Sequence, residues 1–349
     1  MAIQHIKNVR IAGISAAVPK NVKETLQSPE FDTPEDAAKF IENVGVERRH
    51  VHMGGICCSD LCQTAAEKLI HDCSVNLAEI DLLVYVSQSQ DYTLPATACV
   101  LHGKMGLPAT CNCFDISLGC SGWVYGLSAV AAMMQGGGFR KALMLAGDAK
   151  NILGKDLGKP LFGDAGTATL LEYNESAPEM VIDTKTDGTG YEAIIRRGGC
   201  HRIPYDKHSL DPITDQFGNR HSILATEMDG AAVFVFGITK VPKAVKDMLK
   251  LTGKTVEDID YFLFHQANLM MNEQIRKKCK IPMEKHPYSL RDFGNNSSAS
   301  IPLTIVTQTA ADMQARDTEI IACGFGVGLS WGTLYAKLCK PVIPALIEM

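Results

Sequence analysis

One helix–turn–strand pattern occurs twice along the chain, and this repeat limits the possible folds more than any other feature. Each copy reads as an amphipathic helix, a polar turn and an apolar strand, and the copies begin at Ala65 and Ala244. Aligning Asp81 with Asp260 gives an offset of 260 − 81 = 179, about half of the 349 residues. Under this offset the strand Leu82–Val86 aligns with an equally apolar strand that ends in a histidine. The repeat predicts two similar halves.

A second pair of strands supports the duplication. Lys141–Asp148 and Thr318–Gly328 are apolar segments that run into glycine turns, and Met144 aligns with Ile321 at an offset of 321 − 144 = 177. These strands are continuous apolar runs, as is typical of sheets covered on both faces. Because helices separate the strands, we predict an α/β fold.

The centre of the chain carries a polar boundary at Asn174–Pro178, punctuated by proline. We therefore predict two units, residues 1–175 with a nucleophile and residues 176–349 with its partners. The segment Arg196–Asp229 is polar and rich in turn residues, and its length predicts a functional loop or cap over a site.

Charge and composition exclude several classes of function. The formal net charge is 34 − 39 = −5, which argues against nucleic acid or an anionic membrane as the main partner. The first residues lack the pattern of a signal peptide, and no apolar run is long enough to span a bilayer. The twelve cysteines show no disulfide framework, so we predict a cytoplasmic protein with free thiols.

The best candidate for a nucleophile is Cys120. A short strand ending near Ser117 is followed by small residues and then by an apolar helix from Trp123 to Met134. Cys120 therefore lies in a tight strand-to-helix turn, where helix amides would stabilise a thiolate.

Three further segments are candidates for the same site. A buried strand ends at His265, in the second half, where the duplication brings equivalent strand ends to equivalent places. Asn295 lies in a run of small polar residues and could present its amide to a substrate oxygen. Asn296 and Ser297 are interpreted as a loop and helix cap. The glycine-rich turn Gly324–Gly328 could supply backbone amides to an oxyanion.

Taken together, the motifs resemble the β-ketoacyl-acyl-carrier-protein synthase III family of the thiolase-like superfamily. The resemblance covers nearly the whole chain, and its landmarks stand in the family's order: GVERRH at 45–50, DISLGCSGWVYGL around Cys120, FGDAG at 162–166, HQAN at 265–268, GNNSSASIP at 294–302 and GFGVGLSWG at 324–332.

The resemblance implies a five-layered αβαβα fold and a decarboxylative Claisen condensation. Cys120 would carry the acyl group, while His265 and Asn295 would stabilise the enolate of a malonyl-type thioester. The backbone amides of Cys120 and Val327 would form the oxyanion hole. No metal or redox cofactor is implied; the substrates would be thioesters of acyl carrier protein or coenzyme A.

The resemblance also implies a homodimer and a substrate pocket that includes Leu94, Phe234 and Asn268. A basic run follows HQAN directly, and we expect Arg276, Lys277 and Lys280 to dock an acidic acyl carrier protein.

Several positions depart from the family's pattern. The nucleotide-binding Trp and Arg fall on Lys39 and Asn43, and the stretch between Asp148 and Phe162 is short. These departures predict a primer that arrives on a carrier protein and not on free coenzyme A.

Other interpretations remain open. A degradative thiolase would use a second cysteine, and Cys323 stands one position early for that role. A related acyltransferase would form C–O or C–N bonds from the same acyl-Cys120, and an inactive partner subunit of a ketosynthase would lack the nucleophile. The cluster of His50, His52 and nearby cysteines fits no zinc spacing, so we predict no metal.

Overall fold

The computed structural model describes residues 3–149, 160–214, 218 and 220–349. Its helices, in chain order, are Pro34–Val44 (α1), Cys58–Asp72 (α2), Thr97–Lys104 (α3), Gly122–Met134 (α4), Gly230–Thr252 (α5), Leu269–Lys278 (α6), Leu290–Phe293 (α7), Ser300–Thr304 (α8) and Ala310–Ala315 (α9). A π-helical turn, Ile305–Thr309, joins the last two helices.

The strands of the described residues fall into two large sheets and three short hairpin-like pairs. In chain order they are Ile3–Ile6 (β1), Val9–Val18 (β2), Val22–Glu24 (β3), Arg48–His50 (β4), Leu82–Val86 (β5), Asn112–Ile116 (β6), Lys141–Asp148 (β7), Ala165–Tyr173 (β8), Met180–Thr186 (β9), Ile194–Ile195 (β10), Ile213–Thr214 (β11), Arg220–His221 (β12), Glu227–Met228 (β13), Tyr261–Phe264 (β14), Thr318–Gly326 (β15), Ser330–Leu338 (β16) and Ile347–Glu348 (β17).

Helices and sheets alternate in five layers. The first sheet has the order β17-β2-β8-β7-β5-β6, and the second has the order β1-β9-β16-β15-β14. Between them lie α4 and α8, which share one buried cluster with both sheets. The outer face of the first sheet is covered by α2 and α3, and that of the second by α5 and α6. The predicted αβαβα architecture is confirmed.

The duplication is visible in a repeated hydrogen-bond pattern. The amide of Asp81 donates to the carbonyl of Lys141, and its carboxylate accepts from the Lys141 amide. Asp260 makes the same two contacts with Glu319, at 2.9 Å and 2.7 Å. Each aspartate thus ties the start of one parallel strand to the start of its neighbour, in both halves.

The two halves exchange their outermost strands. β1 pairs with β9 in the second sheet, and β17 pairs with β2 in the first. The boundary predicted at Asn174–Pro178 falls between β8 and β9, where the chain passes from the first sheet to the second. Residues 1–175 and 176–349 therefore each hold most of one sheet, but neither holds all of it.

Within the described part of the polar segment Arg196–Asp229, β11 pairs with β12, and β13 pairs with β10, which directly precedes the segment. Its last residue, Asp229, caps α5 by accepting a hydrogen bond from the amide of Ala232. Its role as a cover of the site stays a prediction. In the described part of the chain no helix is long and apolar enough to cross a membrane.

Candidate active site

Cys120 lies in the turn between β6 and α4, as the small residues around it predict. A Cβ atom on Gly122 would lie 2.9 Å from the side chain of Val86, and one on Gly119 would collide with the amide oxygen of Gln88. Only glycine lets the turn pack this closely against the end of β5.

Cys120 is half-buried, and desolvation of its thiol raises its pKa to about 11. The backbone amides of Val327 and Cys120 and the hydroxyl of Ser297 act in the opposite direction by stabilising the thiolate, while the negative charge of Asp148 raises the pKa further. The amides of the turn stabilise the thiolate as predicted, but desolvation outweighs them and leaves the pKa of the thiol above its ordinary value.

Val327 brings its amide to the sulfur through a sharp glycine turn at the end of β15. Gly326 has φ +156°, and a Cβ atom there would lie 2.8 Å from Cys120 Sγ. The amides of Val327 and Cys120 both reach this sulfur, so they also lie near any carbonyl carbon attached to it. That arrangement suits the oxyanion hole predicted for these two amides.

His265 directly follows β14, at the strand end that the duplication predicts. Its side chain is 2% exposed and stands edge-on to Phe325 at 5.4 Å between ring centroids. Burial lowers its pKa to about 4, opposed by a hydrogen bond to the backbone of Ser297. The ring is thus neutral at pH 7, and its single N–H can donate to an anionic oxygen in the tautomer that gives up the bond to Ser297.

Asn295 is held by its backbone and by both ends of its side chain. Its amide donates to Leu161, and its Oδ1 accepts a 2.9 Å hydrogen bond from the amide of Ser297. Its Nδ2 points towards the carbonyl of Ala267, two residues beyond His265, at 3.4 Å. The Asn295 and His265 side chains therefore belong to one corner of the molecule.

Ser297 contacts all three candidate catalytic residues, and we had interpreted it only as part of a loop and cap. Its hydroxyl lies 4.0 Å from Cys120 Sγ, its amide binds Asn295, and its backbone meets the ring of His265. It does so with φ +50°, a conformation that side chains rarely adopt. The sequence hint of this role was the run of small polar residues after Gly294. A helix cap needs only one such residue, so the others indicated a further role.

The three predicted pocket residues lie in different environments. Leu94 follows β5 and is 85% exposed in this single chain. Phe234 is half-buried on α5 and packs on the outer cluster of the second sheet. Asn268 caps α6, because its side chain accepts a hydrogen bond from the Met271 amide at 2.8 Å. Their pocket roles stay predictions.

Arg276 is held in place by its neighbours, and its carrier-docking role stays a prediction. Its guanidinium makes two hydrogen bonds to the carboxylate of Glu273 and a third to the carbonyl of Ile281, and its side chain is 14% exposed. The side-chain hydrogen bond from Arg276 lowers the pKa of Glu273 to about 2. Arg276 is thus a buttress of α6, whereas Lys277 and Lys280 are exposed.

The positions that depart from the family's nucleotide site are both exposed on α1. The side chain of Asn43 donates to the carbonyl of Lys39 at 2.8 Å, which turns its amide back onto its own helix. Most of the stretch between Asp148 and Phe162 lies outside the described residues.

The remaining candidates belong to packing. Cys323 lies in the outer cluster of the second sheet, where burial raises its pKa to about 12, so it does not share the corner of Cys120. Nδ1 of His50 lies 2.6 Å from the carbonyl of Pro19. Among the residues that the structure describes, no group of His, Cys, Asp and Glu could hold a metal ion.

A five-layered fold with a cysteine at a helix start, linked through Ser297 to a buried histidine and an asparagine, defines a condensing enzyme of the thiolase-like class. Comparisons with known proteins agree. Residues 114–190 match the family described as 3-oxoacyl-[acyl-carrier-protein (ACP)] synthase III, and residues 249–338 match its C-terminal part. A β-ketoacyl-[acyl-carrier-protein] synthase III of Clostridium novyi is 30% identical over 336 residues, covering 93% of this chain and 97% of that protein.

Solved structures give the same result. A 3-oxoacyl-(acyl-carrier protein) synthase from Burkholderia xenovorans superposes with a TM-score of 0.92 at 33% identity, covering 99% of both chains. The chain belongs to the β-ketoacyl-acyl-carrier-protein synthase III family. The predicted fold class and the predicted acyltransferase function of condensing type are confirmed.

Proposed function

We propose that the chain loads an acyl group on Cys120 and extends it by decarboxylative condensation with a malonyl-type thioester on acyl carrier protein. The observation that carries this proposal is the meeting of Cys120, His265 and Asn295 around Ser297. One nucleophile and two neutral N–H donors in a buried corner are what the two half-reactions require.

In the first half-reaction the sulfur of Cys120 attacks the carbonyl of an acyl thioester. A new S–C bond forms, the S–C bond of the donor breaks, and the proton of the Cys120 thiol ends on the departing thiol. The amides of Cys120 and Val327 lie by the sulfur and would bind the oxyanion of the addition.

In the second half-reaction the C–C bond to the carboxylate of the malonyl group breaks and carbon dioxide leaves. The electron pair goes to the thioester oxygen as an enolate, which accepts hydrogen bonds from His265 and Asn295. The enolate carbon then attacks the acyl carbon, and Cys120 is released as a thiolate that takes up a proton. Because N–H donors offset the enolate charge, we propose that no metal or redox cofactor takes part.

Lys277 and Lys280 are the cations that we propose for carrier docking. Both lie at the end of α6, whose first turn follows His265 and Asn268. Exposed lysines near the end of that helix would attract an acidic carrier and set the rate of association. Lys39 and Asn43 support a carrier-borne primer, since neither offers an aromatic face or a planar cation to an adenine.

We also propose a homodimer that forms along β6. Among the strands that the structure describes, β6 is the edge of the first sheet and pairs with β5 alone, and its Phe114 and Ile116 are half-buried. An unpaired apolar edge favours addition of a second strand. Leu94 would then reach the partner's pocket. Sedimentation should give twice the chain mass, and Phe114→Lys should give the monomer; a monomeric wild type would contradict the proposal.

A cytoplasmic location is proposed for the same chain. All twelve cysteines are free, including Cys99 and Cys113, whose sulfurs lie 3.7 Å apart. Thiols at this distance stay reduced most readily in a reducing compartment.

The reaction is tested with purified protein, an acyl thioester and malonyl-acyl carrier protein. Carbon dioxide and a β-ketoacyl product detected by mass should both appear, and both should vanish when Cys120 is replaced by Ala. Loading of Cys120 without release of carbon dioxide, followed by acyl transfer to an alcohol or amine, would instead establish the C–O or C–N acyltransferase.

A further inference from the structure

A buried carboxylate stands behind the nucleophile without a role in the reaction above. Asp148 is the last residue of β7, and its Oδ1 accepts hydrogen bonds from the hydroxyl of Ser87 at 3.0 Å, the amide of Gln88 at 2.8 Å and the hydroxyl of Ser89 at 3.1 Å. Oδ2 faces the hydroxyl of Ser298 at 3.4 Å. This many donors fix the carboxylate in one position.

Ser297 connects this carboxylate to the thiol. Its hydroxyl is 4.0 Å from Cys120 Sγ, and the same hydroxyl stabilises the ionised carboxylate of Asp148, whose pKa it lowers. A hydroxyl can donate one hydrogen bond while it accepts another, so a proton can leave the sulfur and arrive at the carboxylate in one concerted transfer.

The charges in this corner favour such a transfer. Asp148 is the ionised group whose charge opposes a thiolate at Cys120. If the thiol proton left for solvent, two anions would lie close together in a desolvated corner, which is unfavourable. If the proton moves to Asp148, the corner keeps a single negative charge.

Two other ionisable side chains of the described residues lie near this corner: Cys58 of α2, whose pKa is raised by burial and also by the charge of Asp148, and His265. The pKa of His265 is lowered to about 4 by burial, so its affinity for a proton is poor. Burial acts on Asp148 in the opposite sense and raises its pKa, against hydrogen bonds from Ser297, Gln88, Ser87 and Ser89. The turn at 326–328 and the segment 295–298 bring no ionisable side chain.

We propose that Asp148, acting through Ser297, accepts the proton of the Cys120 thiol during acylation. The inference rests on the proposed function in that Cys120 is the acylated group. The proton passes from Sγ to the Ser297 oxygen while the Ser297 proton passes to Asp148; the new S–C bond forms and that of the donor breaks. The departing thiolate then recovers a proton along the same path, so that Asp148 ends ionised.

Alkylation of Cys120 by iodoacetamide, followed by mass spectrometry against pH, tests the relay without any acyl substrate. When the alkylation rate of the wild type is plotted against pH, it should show a shoulder, a range in which the rate changes little, well below the thiol pKa of about 11. A rate that falls tenfold per pH unit with no shoulder would overturn the proposal, and this measurement needs no variant.

Asp148→Asn separates the relay from simple repulsion, because the two predict opposite signs. Loss of a proton acceptor should slow alkylation at pH 7 by about tenfold or more, the low end of general-base effects. Loss of a repelling charge alone would speed it up, and that result would overturn the proposal.

Ser297→Ala should lose the shoulder as well, and a retained shoulder would rule out this path. Ser300→Ala is the matched control, since its buried hydroxyl has no hydrogen-bond partner in the described structure, and it should behave as the wild type. If alkylation behaves as expected but no condensation product forms, the proton relay is supported and the proposed condensation reaction is contradicted.

Discussion

The amide of Ser297 donates a 2.9 Å hydrogen bond to Oδ1 of Asn295, and this contact fixes which way the asparagine amide points. With Oδ1 occupied and one Nδ2 hydrogen directed at the carbonyl of Ala267 at 3.4 Å, the second Nδ2 hydrogen is left to face a substrate, together with the neutral ring of His265. The roles of both residues follow from this orientation and can be separated from that of Cys120.

Replacing His265 or Asn295 with Ala should spare loading of Cys120 and slow condensation by about 10²-fold, as does loss of one oxyanion donor. Loading is followed by protein mass, and condensation by release of carbon dioxide. His71→Ala, at an exposed histidine, is the control. If the variants failed to load Cys120 but still released carbon dioxide, His265 and Asn295 would act in loading and not in decarboxylation.

Cys120→Ala should abolish acylation while the protein stays folded, because no other thiol lies among the amides that stabilise the addition. Intact mass after incubation with an acyl thioester gives the answer. Cys200→Ala, at an exposed cysteine, should load normally. An acylated Cys120→Ala protein would place the nucleophile elsewhere.

Lys277→Glu combined with Lys280→Glu should raise KM for a carrier-borne thioester, more strongly at low salt, and leave a small thioester mimic unaffected. Lys68→Glu, on α2 of the other half, serves as the control for charge reversal at one exposed lysine. Equal losses for both substrates would mean damage to the site.

Arg276→Gln should behave differently from the lysine variants. It breaks the ion pair with Glu273 and should lower the melting temperature without discriminating between carrier-borne and small substrates. Unchanged stability with a selective loss of carrier use would restore the docking role that we first expected.

The identity of the primer donor is tested by loading Cys120 with one acyl group from both thioesters. Loading from the carrier should be faster, and Lys39→Trp with Asn43→Arg should speed loading from coenzyme A by roughly 10- to 100-fold. Equal or faster loading from coenzyme A in the wild type would contradict the predicted preference.

Stability should fall as the pH falls from about 6.5 towards 4. Burial lowers the pKa of His265 and His286 to about 4, so the unfolded chain binds protons first as the pH drops and folding loses free energy. Urea unfolding at pH 7 and pH 5 measures the loss. His286→Gln should reduce the difference between the unfolding free energies at pH 7 and pH 5. An unchanged difference would show that His286 does not cause the loss.

The sequence predicted the strands and the nucleophile well because their signals are local. Continuous apolar runs gave β5 and β7 with the bounds that the structure has, and small residues before an apolar helix gave the position of Cys120. The register of the duplication was one residue short at Met144, which corresponds to Ala322 and not to Ile321. Alignment by hydropathy alone cannot resolve a shift of one residue inside a uniform apolar run.

The contacts that could not be predicted depend on tertiary structure. The ion pair of Arg276 with Glu273 has the spacing of an exposed helical pair, and only packing against Tyr288 and Ile281 makes it structural. The raised pKa of Cys120 depends on how deeply the turn is buried, and the role of Ser297 on an unusual backbone angle. The run of small polar residues after Gly294 marks the segment of Ser297, but the burial, the ion pair and the backbone angle leave no pattern in a single sequence.

The exchange of β1 and β17 between the two sheets has a consequence for dissection of this protein. A fragment that ends at residue 175 would carry β1 without its partner β9, and β2 without its neighbour β17. The complementary fragment would carry β17 without β2, and β9 without β1. Expressed separately, the fragments should aggregate through the strand edges left without partners. Expressed together, they should complement each other as a split enzyme, with activity that reports on their reunion.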